Sequence, residues 1–330
     1  MKKIKIGIVG GAGYTGGELL RILVNHPNAE IVFVHSKSNS GKFIHEVHTD
    51  LIGDTNLKFA AELSDAIDVL ILCIGHGEAK FFLAENNINE KIKIIDLSQD
   101  FRLEPNSRPL SPVLRPFVYG LPELNRNNIK TANNIANPGC FATCLQLALL
   151  PLAAHSLLKN EIHISATTGS TGAGQSLSAT SHFSWRQNNL SIYKAFEHQH
   201  LAEVGQSLNN LQKDFKSEIN FIPYRGSFTR GIIASVYTEC TLSLAEAKKI
   251  YQDYYETHPF VYLSKTSIDL KQVMNTNKGL LHLEKHGNKL LITSVIDNLL
   301  KGASGQAVQN MNLMFGLEEM AGLKLKAVYF

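Results

Sequence analysis

Apolar positions fall into short runs separated by polar, glycine-rich punctuation, and the period changes from run to run. Ile4 to Val9 is a strand-length run, followed by glycines and a helically spaced segment from Gly17 to Asn25 that His26-Pro27 brings to an end. Ile31-Val32-Phe33-Val34, Val69 to Ile74 and Ile92 to Leu97 are near-continuously apolar rather than alternating, as expected of strands covered on both faces. With helical segments between them, as at Glu78 to Asn86, they predict βαβ units and an α/β fold with a Rossmann-type, doubly wound parallel sheet. Between Glu104 and Asn128 the pattern breaks. Pro105, Pro109, Pro112, Pro116 and Pro122 exclude long helices and sheet interiors there, which marks a structured connection or a domain boundary.

Beyond Cys140 the order of elements changes. A helix from Phe141 to Leu150 precedes strands at Ile162 to Thr167, Ile232 to Thr238 and Lys289 to Val295, with a helix near Leu244 to Tyr254. This predicts a second, α+β domain with a largely antiparallel or mixed sheet. The last helix, about Gln306 to Phe315, aligns Val308, Met311 and Phe315 on one stripe and is expected to pack back onto the first domain. The expected division is residues 1–139, completed by about 300–330, and residues 140–299.

Composition agrees with two packed cores. At 330 residues, with 44% hydrophobic and 18% charged residues, the chain has ample apolar material and no disorder signature. A net charge of +3, spread evenly, argues against nucleic acid and against a polybasic membrane patch, and leaves room for a small anionic ligand. Lys5 and Gly7 interrupt any signal-peptide core, so the chain reads as starting at a strand. The longest apolar stretch, Leu145 to Ala154, is broken by Gln146 and Pro151 and is about half the ~20 residues of a membrane crossing. No membrane contact is therefore expected. Cys73, Cys140, Cys144 and Cys240 form no C-x-x-C pair, which favours free thiols in a reducing cytoplasm.

Chemistry concentrates in three places. The run Gly10-Gly11-Ala12-Gly13-Tyr14-Thr15-Gly16 follows the first strand and opens the first helix, where a tight turn and helix N–H groups receive a pyrophosphate. Gly10, Gly13, Tyr14, Thr15 and Gly16 are thus candidate cofactor residues. Where an acidic residue would hold the ribose hydroxyls of NAD, the chain reads His35-Ser36-Lys37-Ser38; hydroxyls on Ser36 and Ser38 beside a cation suit the 2′-phosphate of NADP. Asn137-Pro138-Gly139-Cys140 places Cys140 at a helix N-terminus, where the dipole favours thiolate, a nucleophile's position. Cys144, one turn on, reads as a small core residue. His198-Gln199-His200 is the only H-x-H in the chain; without zinc-type spacing it suits acid/base work beside a thiolate better than metal, and no metal is expected. The loops Thr168 to Gly174 and Lys301 to Gln306 are glycine-rich enough for backbone to approach a ligand, with Gly172 and Gly174 as candidate cofactor contacts.

Taken together, GIVGGAGYTGGEL (Gly7 to Leu19), DLSQDFRL (Asp96 to Leu103), YGLPEL (Tyr119 to Leu124), NPGC (Asn137 to Cys140), GSTGAG (Gly169 to Gly174), HQH (His198 to His200) and DNLLKGASGQAVQNMN (Asp297 to Asn312) resemble the N-acetyl-gamma-glutamyl-phosphate reductases, within the aspartate-semialdehyde dehydrogenase superfamily. The resemblance spans essentially the whole chain. It implies NADPH-dependent reductive dephosphorylation of an acyl phosphate to an aldehyde through a Cys140 thioester, in arginine biosynthesis. It also implies an NADP-binding first domain, a catalytic and oligomerisation second domain, and a homodimer or homotetramer. His198 is implied as the base that maintains the thiolate and the acid that protonates the oxyanion. His200 and Asn137 are implied at the substrate, Arg102 and Arg230 at its phosphate or carboxylate, and Asn298 near the nicotinamide carboxamide.

The chain departs from the family pattern at Leu201-Ala202, at Gln175 and at Pro223-Tyr224-Arg225-Gly226. Arg225 is an additional cation that suits a second carboxylate, which keeps an N-succinyl substrate open beside the N-acetyl one. An aspartate-semialdehyde dehydrogenase is the alternative within the superfamily. A non-catalytic NADP-binding redox sensor using Cys140 and Cys144 is the alternative from another class.

Overall fold

The continuous apolar runs of the N-terminal part become strands of one parallel sheet in the computed structural model, which describes residues 3–104 and 115–329. The strands are β1 (Ile4–Val9), β2 (Ala29–His35), β3 (Phe59–Ala60), β4 (Val69–Leu72), β5 (Lys93–Asp96), β6 (Val118–Tyr119) and β7 (Asn134–Ala136). Their order is β3-β2-β1-β4-β5-β7-β6, with every pairing parallel. Ile6, Ile8, Val69, Ile71 and Ile95 are fully buried, as strands sandwiched between helices require. The chain runs outward from β1 to β3 on one side and outward from β4 on the other. The β1/β4 boundary is therefore the switch point at whose carboxyl end such sheets bind ligands.

Two helices of this sheet are α1 (Tyr14–Leu23) and α2 (Glu78–Glu85). A third, α3 (Pro122–Thr131), is broken at Asn125 (φ −122°, ψ 22°) into two short pieces, so the proline-rich stretch Glu104 to Asn128 contains helical turns but no long helix among its described residues. Pro122 begins that helix, the one place where a missing N–H and a fixed φ favour helix. Pro105, Pro109 and Pro112 lie outside the described residues. The chain divides into two compact units, Met1–Pro138 with Ala303–Lys324 and Gly139–Gly302 with Leu325–Phe330. In the first unit the C-terminal helix, Gly305–Met314, packs on α1 and α3 and is buried along its whole length. Two of its polar residues bind the rest of the unit: Asn310 Nδ2 donates to the Gly120 carbonyl at 2.8 Å, and Asn312 Oδ1 lies 3.1 Å from His26 Nε2.

The second unit opens with α4 (Cys140–Ala154), five residues longer than its apolar run predicts and buried from Phe141 to Ala153. Pro151 lies inside it and supplies no N–H to the Leu147 carbonyl one turn back. Tyr255 repairs that gap, its hydroxyl donating to the Leu147 carbonyl at 2.6 Å. The remaining elements are β8 (Ile162–Thr168), α5 (Phe183–Arg186), β9 (Ser191–Ile192), α6 (His200–Leu211), β10 (Ile219–Arg225), β11 (Ile232–Glu239), α7 (Leu244–Tyr255), β12 (Val261–Ser264), β13 (Gly279–His286) and β14 (Lys289–Ile296). They build a mixed sheet ordered β12-β13-β14-β11-β8-β10-β9, parallel at β8/β10 and β12/β13 and antiparallel elsewhere. Along β11, Ile232, Ala234 and Val236 are buried while Ser235, Tyr237 and Glu239 are exposed, so one face carries the core. That core joins Phe141, Leu145 and Leu149 of α4 to Phe221, Ile292, Leu208 and Tyr251. Cys73 and Cys240 each stand one residue beyond a strand rather than within it. No helix among the described residues is long and apolar enough to cross a membrane.

Candidate active site

In the first unit the glycine loop leaves β1 at the switch point. Gly10 adopts φ +77°, and a Cβ there would lie 2.4 Å from the Cys73 carbonyl oxygen, so both conformation and space demand glycine. Gly13 caps α1 in extended conformation without a side-chain cap, and the first turn, with Tyr14, Thr15 and Gly16, holds no acidic residue. Such an end offers unpaired N–H groups and positive dipole to an anion, which fits a dinucleotide pyrophosphate. At the end of β2, Ser36 and Ser38 place their hydroxyls 3.5 Å apart, and Asn39 Nδ2 donates to both, at 3.4 and 3.2 Å. Thr15 contributes its carbonyl to Ser304 Oγ at 2.7 Å.

Two residues expected at the substrate have structural duties in this unit. Arg102 is buried, with Nε donating to the Asn137 carbonyl at 2.8 Å and Nη2 to the Leu97 carbonyl at 2.7 Å. Asn137 is 1% exposed; its Nδ2 donates to the Ala303 carbonyl, its Oδ1 accepts from Asn310, and its N–H donates to the Asp96 carbonyl. Both side chains satisfy buried backbone groups of this unit, and they stand together at the end of the parallel sheet.

The second unit carries the thiol. Cys140 is the first residue of α4 and Gly139 its N-cap. His200, the first residue of α6, lies so close that a Cβ on Gly139 would fall 2.2 Å from its Nε2. Glu203, three residues on and facing the same way, accepts the Gly139 N–H at 3.0 Å through Oε2 and approaches His200 Nε2 to 3.9 Å through Oε1. One buried carboxylate thus anchors the turn before the thiol and backs the imidazole beside it.

His198 is packed edge-on among aromatic rings, with centroids at 5.3 Å to Phe141, 5.6 Å to Phe221 and 5.7 Å to Tyr193. Burial, with Lys194 and Arg225 nearby, pushes its pKa down to about 4, so the ring is neutral at pH 7. Its Nδ1 accepts the His200 backbone N–H at 3.2 Å, which leaves the proton on Nε2. In this arrangement the acceptor nitrogen of His198 is taken and its Nε2 is left as a donor.

Arg230, expected at the substrate phosphate or carboxylate, is paired within the unit. Its Nε and Nη2 meet the two carboxylate oxygens of the fully buried Asp297 at 2.9 and 3.1 Å. Asn298 accepts the Gly231 N–H at 2.7 Å and donates to Thr171 Oγ1 at 3.0 Å, holding the loop that contains Gly172 and Gly174. Gly174 has φ +77° with open space where a Cβ would stand. Cys144 Sγ donates to the Ser294 carbonyl and hydroxyl at 3.4 Å each, and burial pushes its pKa up to about 12. A thiol so protonated is a poor redox partner for Cys140. Among the described residues no three or more His, Cys, Asp or Glu side chains come together to hold a metal ion.

Residues 5–132 match the family described as "Semialdehyde dehydrogenase, NAD binding domain" and residues 140–298 that described as "Semialdehyde dehydrogenase, dimerisation domain". The chain is 59% identical over 327 residues to an N-acetyl-gamma-glutamyl-phosphate reductase of Christiangramia forsetii, covering 99% of this chain and 100% of that one. The chain belongs to the N-acetyl-gamma-glutamyl-phosphate reductase family. Further members similar to it come from Flavobacterium johnsoniae, 58% identical over 98% of both chains, and Bacteroides thetaiotaomicron, 57% identical over 99% of this chain and 100% of that one. In three dimensions it resembles aspartate semialdehyde dehydrogenase II from Vibrio cholerae, with TM-score 0.72 and 16% identity over 96% of this chain and 99% of that one. At that identity the likeness is one of fold. A nicotinamide cofactor belongs to the family's first domain.

Sequence reading missed Glu203 and Asp297. For this reductase family member the signals were present: an acid three residues after His200 on a helix start, and an acid directly before Asn298.

Proposed function

We propose that the chain is an NADPH-dependent N-acetyl-gamma-glutamyl-phosphate reductase of arginine biosynthesis, acting in the cytoplasm as a homodimer or homotetramer. The observation that carries this is end-to-end identity of 57–59% to relatives bearing that name. A match to the semialdehyde dehydrogenase dimerisation domain supports self-association. Ser36, Lys37 and Ser38, with no carboxylate at the end of β2, support NADP as the cofactor. When bound at the loop of Gly10, Gly13 and Gly16, the dinucleotide supplies a hydride.

Cys140 Sγ attacks the γ-carbonyl carbon, the C–O bond to phosphate breaks, and inorganic phosphate leaves a thioester on the thiol. His200, backed by Glu203, takes the thiol proton. Hydride addition to the thioester carbon generates an oxyanion, to which the Nε2–H of His198 donates; its neutral ring costs less to bury than a cation would. Collapse of that oxyanion breaks the C–S bond, releases the semialdehyde and returns the thiolate. Asn298 supports Thr171 beside the cofactor loop, with Gly172 and Gly174 leaving its backbone accessible.

The test runs the reaction backwards, following phosphate-dependent NADP+ reduction with N-acetylglutamate semialdehyde. Cys140→Ser should abolish turnover and leave NADP+ binding intact. Retained turnover in that variant, or wild-type preference for aspartate semialdehyde, would sink the proposal.

A further inference from the structure

With Arg102 and Arg230 committed to protein partners, one guanidinium in the second unit stands apart. Arg225 ends β10, and its Nε is buried without a hydrogen-bond partner. No carboxylate among the described residues pairs with it. The guanidinium instead lies over the Tyr193 ring, 4.5 Å from the centroid, and the Arg225 side chain hydrogen-bonds the Tyr193 hydroxyl, which leaves Nε without an acceptor. Its neighbours add positive charge: Arg186 Nη1 donates to the Arg225 carbonyl at 2.9 Å, and Lys194 follows Tyr193 with its Nζ on Gln199 Oε1 at 3.2 Å.

This cationic group borders the chemistry. Tyr193 is edge-on to His198, and its hydroxyl feels both the Cys140 thiol and Arg225; burial first, then Cys140, pushes its pKa up to about 12 against the opposing pull of Arg225. A buried guanidinium nitrogen with no acceptor is costly unless a ligand supplies one, and a planar N–H edge matches a carboxylate.

We infer that Arg225 binds a carboxylate of the acyl-glutamyl substrate and so holds that substrate for attack by Cys140. The inference rests on the proposed reductase reaction. Two carboxylates qualify, the α-carboxylate of the glutamyl moiety and one at the far end of the N-acyl group.

The experiment compares wild type, Arg225→Gln and Arg225→Lys in phosphate-dependent NADP+ reduction with N-acetyl- and N-succinyl-glutamate semialdehyde. Arg225→Gln should raise KM for semialdehyde on the order of 10- to 100-fold, with kcat and the KM for phosphate little changed. Arg225→Lys keeps the charge but not the planar fork, and should fall between the two. It also serves as the test if the Gln variant does not fold. A rise confined to the N-succinyl compound assigns the terminal carboxylate, and an equal rise on both assigns the α-carboxylate. Unchanged KM for both semialdehydes, a loss in kcat alone, or a rise confined to phosphate overturns the inference. Absence of wild-type turnover on either compound instead refutes the underlying reductase reading.

Discussion

Arg230→Gln separates a stitching arginine from a substrate arginine. The substitution removes the charge that faces Asp297, whose carboxylate is fully buried. Breaking such a pair costs about 3–5 kcal/mol, because the remaining charge is stranded. Asp297 still accepts N–H groups from Asn275 at 2.7 Å, Leu299 at 2.9 Å and Leu300 at 3.2 Å, and the Arg230 side chain is 16% exposed. The lower end, about 3 kcal/mol, therefore applies. Trp185 is the only tryptophan and belongs to the second unit, so its fluorescence follows urea unfolding of that unit. With a slope of roughly 2–3 kcal/mol per molar urea, the midpoint should fall by about 1 M. Asp297→Asn and the double variant complete a cycle whose coupling should be about 2 kcal/mol. A loss below about 1 kcal/mol with a raised KM for semialdehyde would refute the reasoning and return Arg230 to the substrate.

Three further outcomes are expected. Tyr255→Phe should lower stability by about 1–3 kcal/mol in the same unfolding assay, since the Leu147 carbonyl beside Pro151 then has no donor; no change would mean that the carbonyl finds another partner. The His198 ring should titrate near pH 4 by NMR. Because its folded pKa is depressed, the unfolded chain takes up a proton that the folded chain refuses between about pH 6.5 and 4, so its contribution to stability is lost as pH falls through that window. A midpoint near 6.5 would contradict that burial. In native protein a thiol reagent should modify Cys140 well ahead of Cys144, whose pKa stands at about 12; equal rates would contradict the buried, protonated state of Cys144.

Much of the fold was legible because burial leaves a periodic trace. The unbroken runs at Val69 and Ile92 could only be sandwiched strands, and the alternation from Ile232 announced a sheet with one open face. The helix at Pro122 was not legible, since proline at a first turn and proline in a connection look alike in sequence. Cys140 and the H-x-H pair stood out through residue type and spacing. The duties of Arg102, Asn137 and Arg230 did not, because which acceptor an arginine meets depends on chain segments far away in sequence. Which nitrogen of His198 accepts a backbone N–H is likewise something that only geometry supplies.

The discontinuity of the first unit also bears on how the protein is made. Every strand of the parallel sheet has left the ribosome by Ala136, yet the helix that covers α1 and α3 follows only after all of Gly139–Gly302 has been synthesised. The nascent first unit therefore waits with an apolar flank uncovered while the second unit, nearly continuous in sequence, completes its own core. The core of the thiol-bearing unit is thus complete in sequence before the helix that closes the nucleotide-loop unit, and only its short segment Leu325–Phe330 comes later.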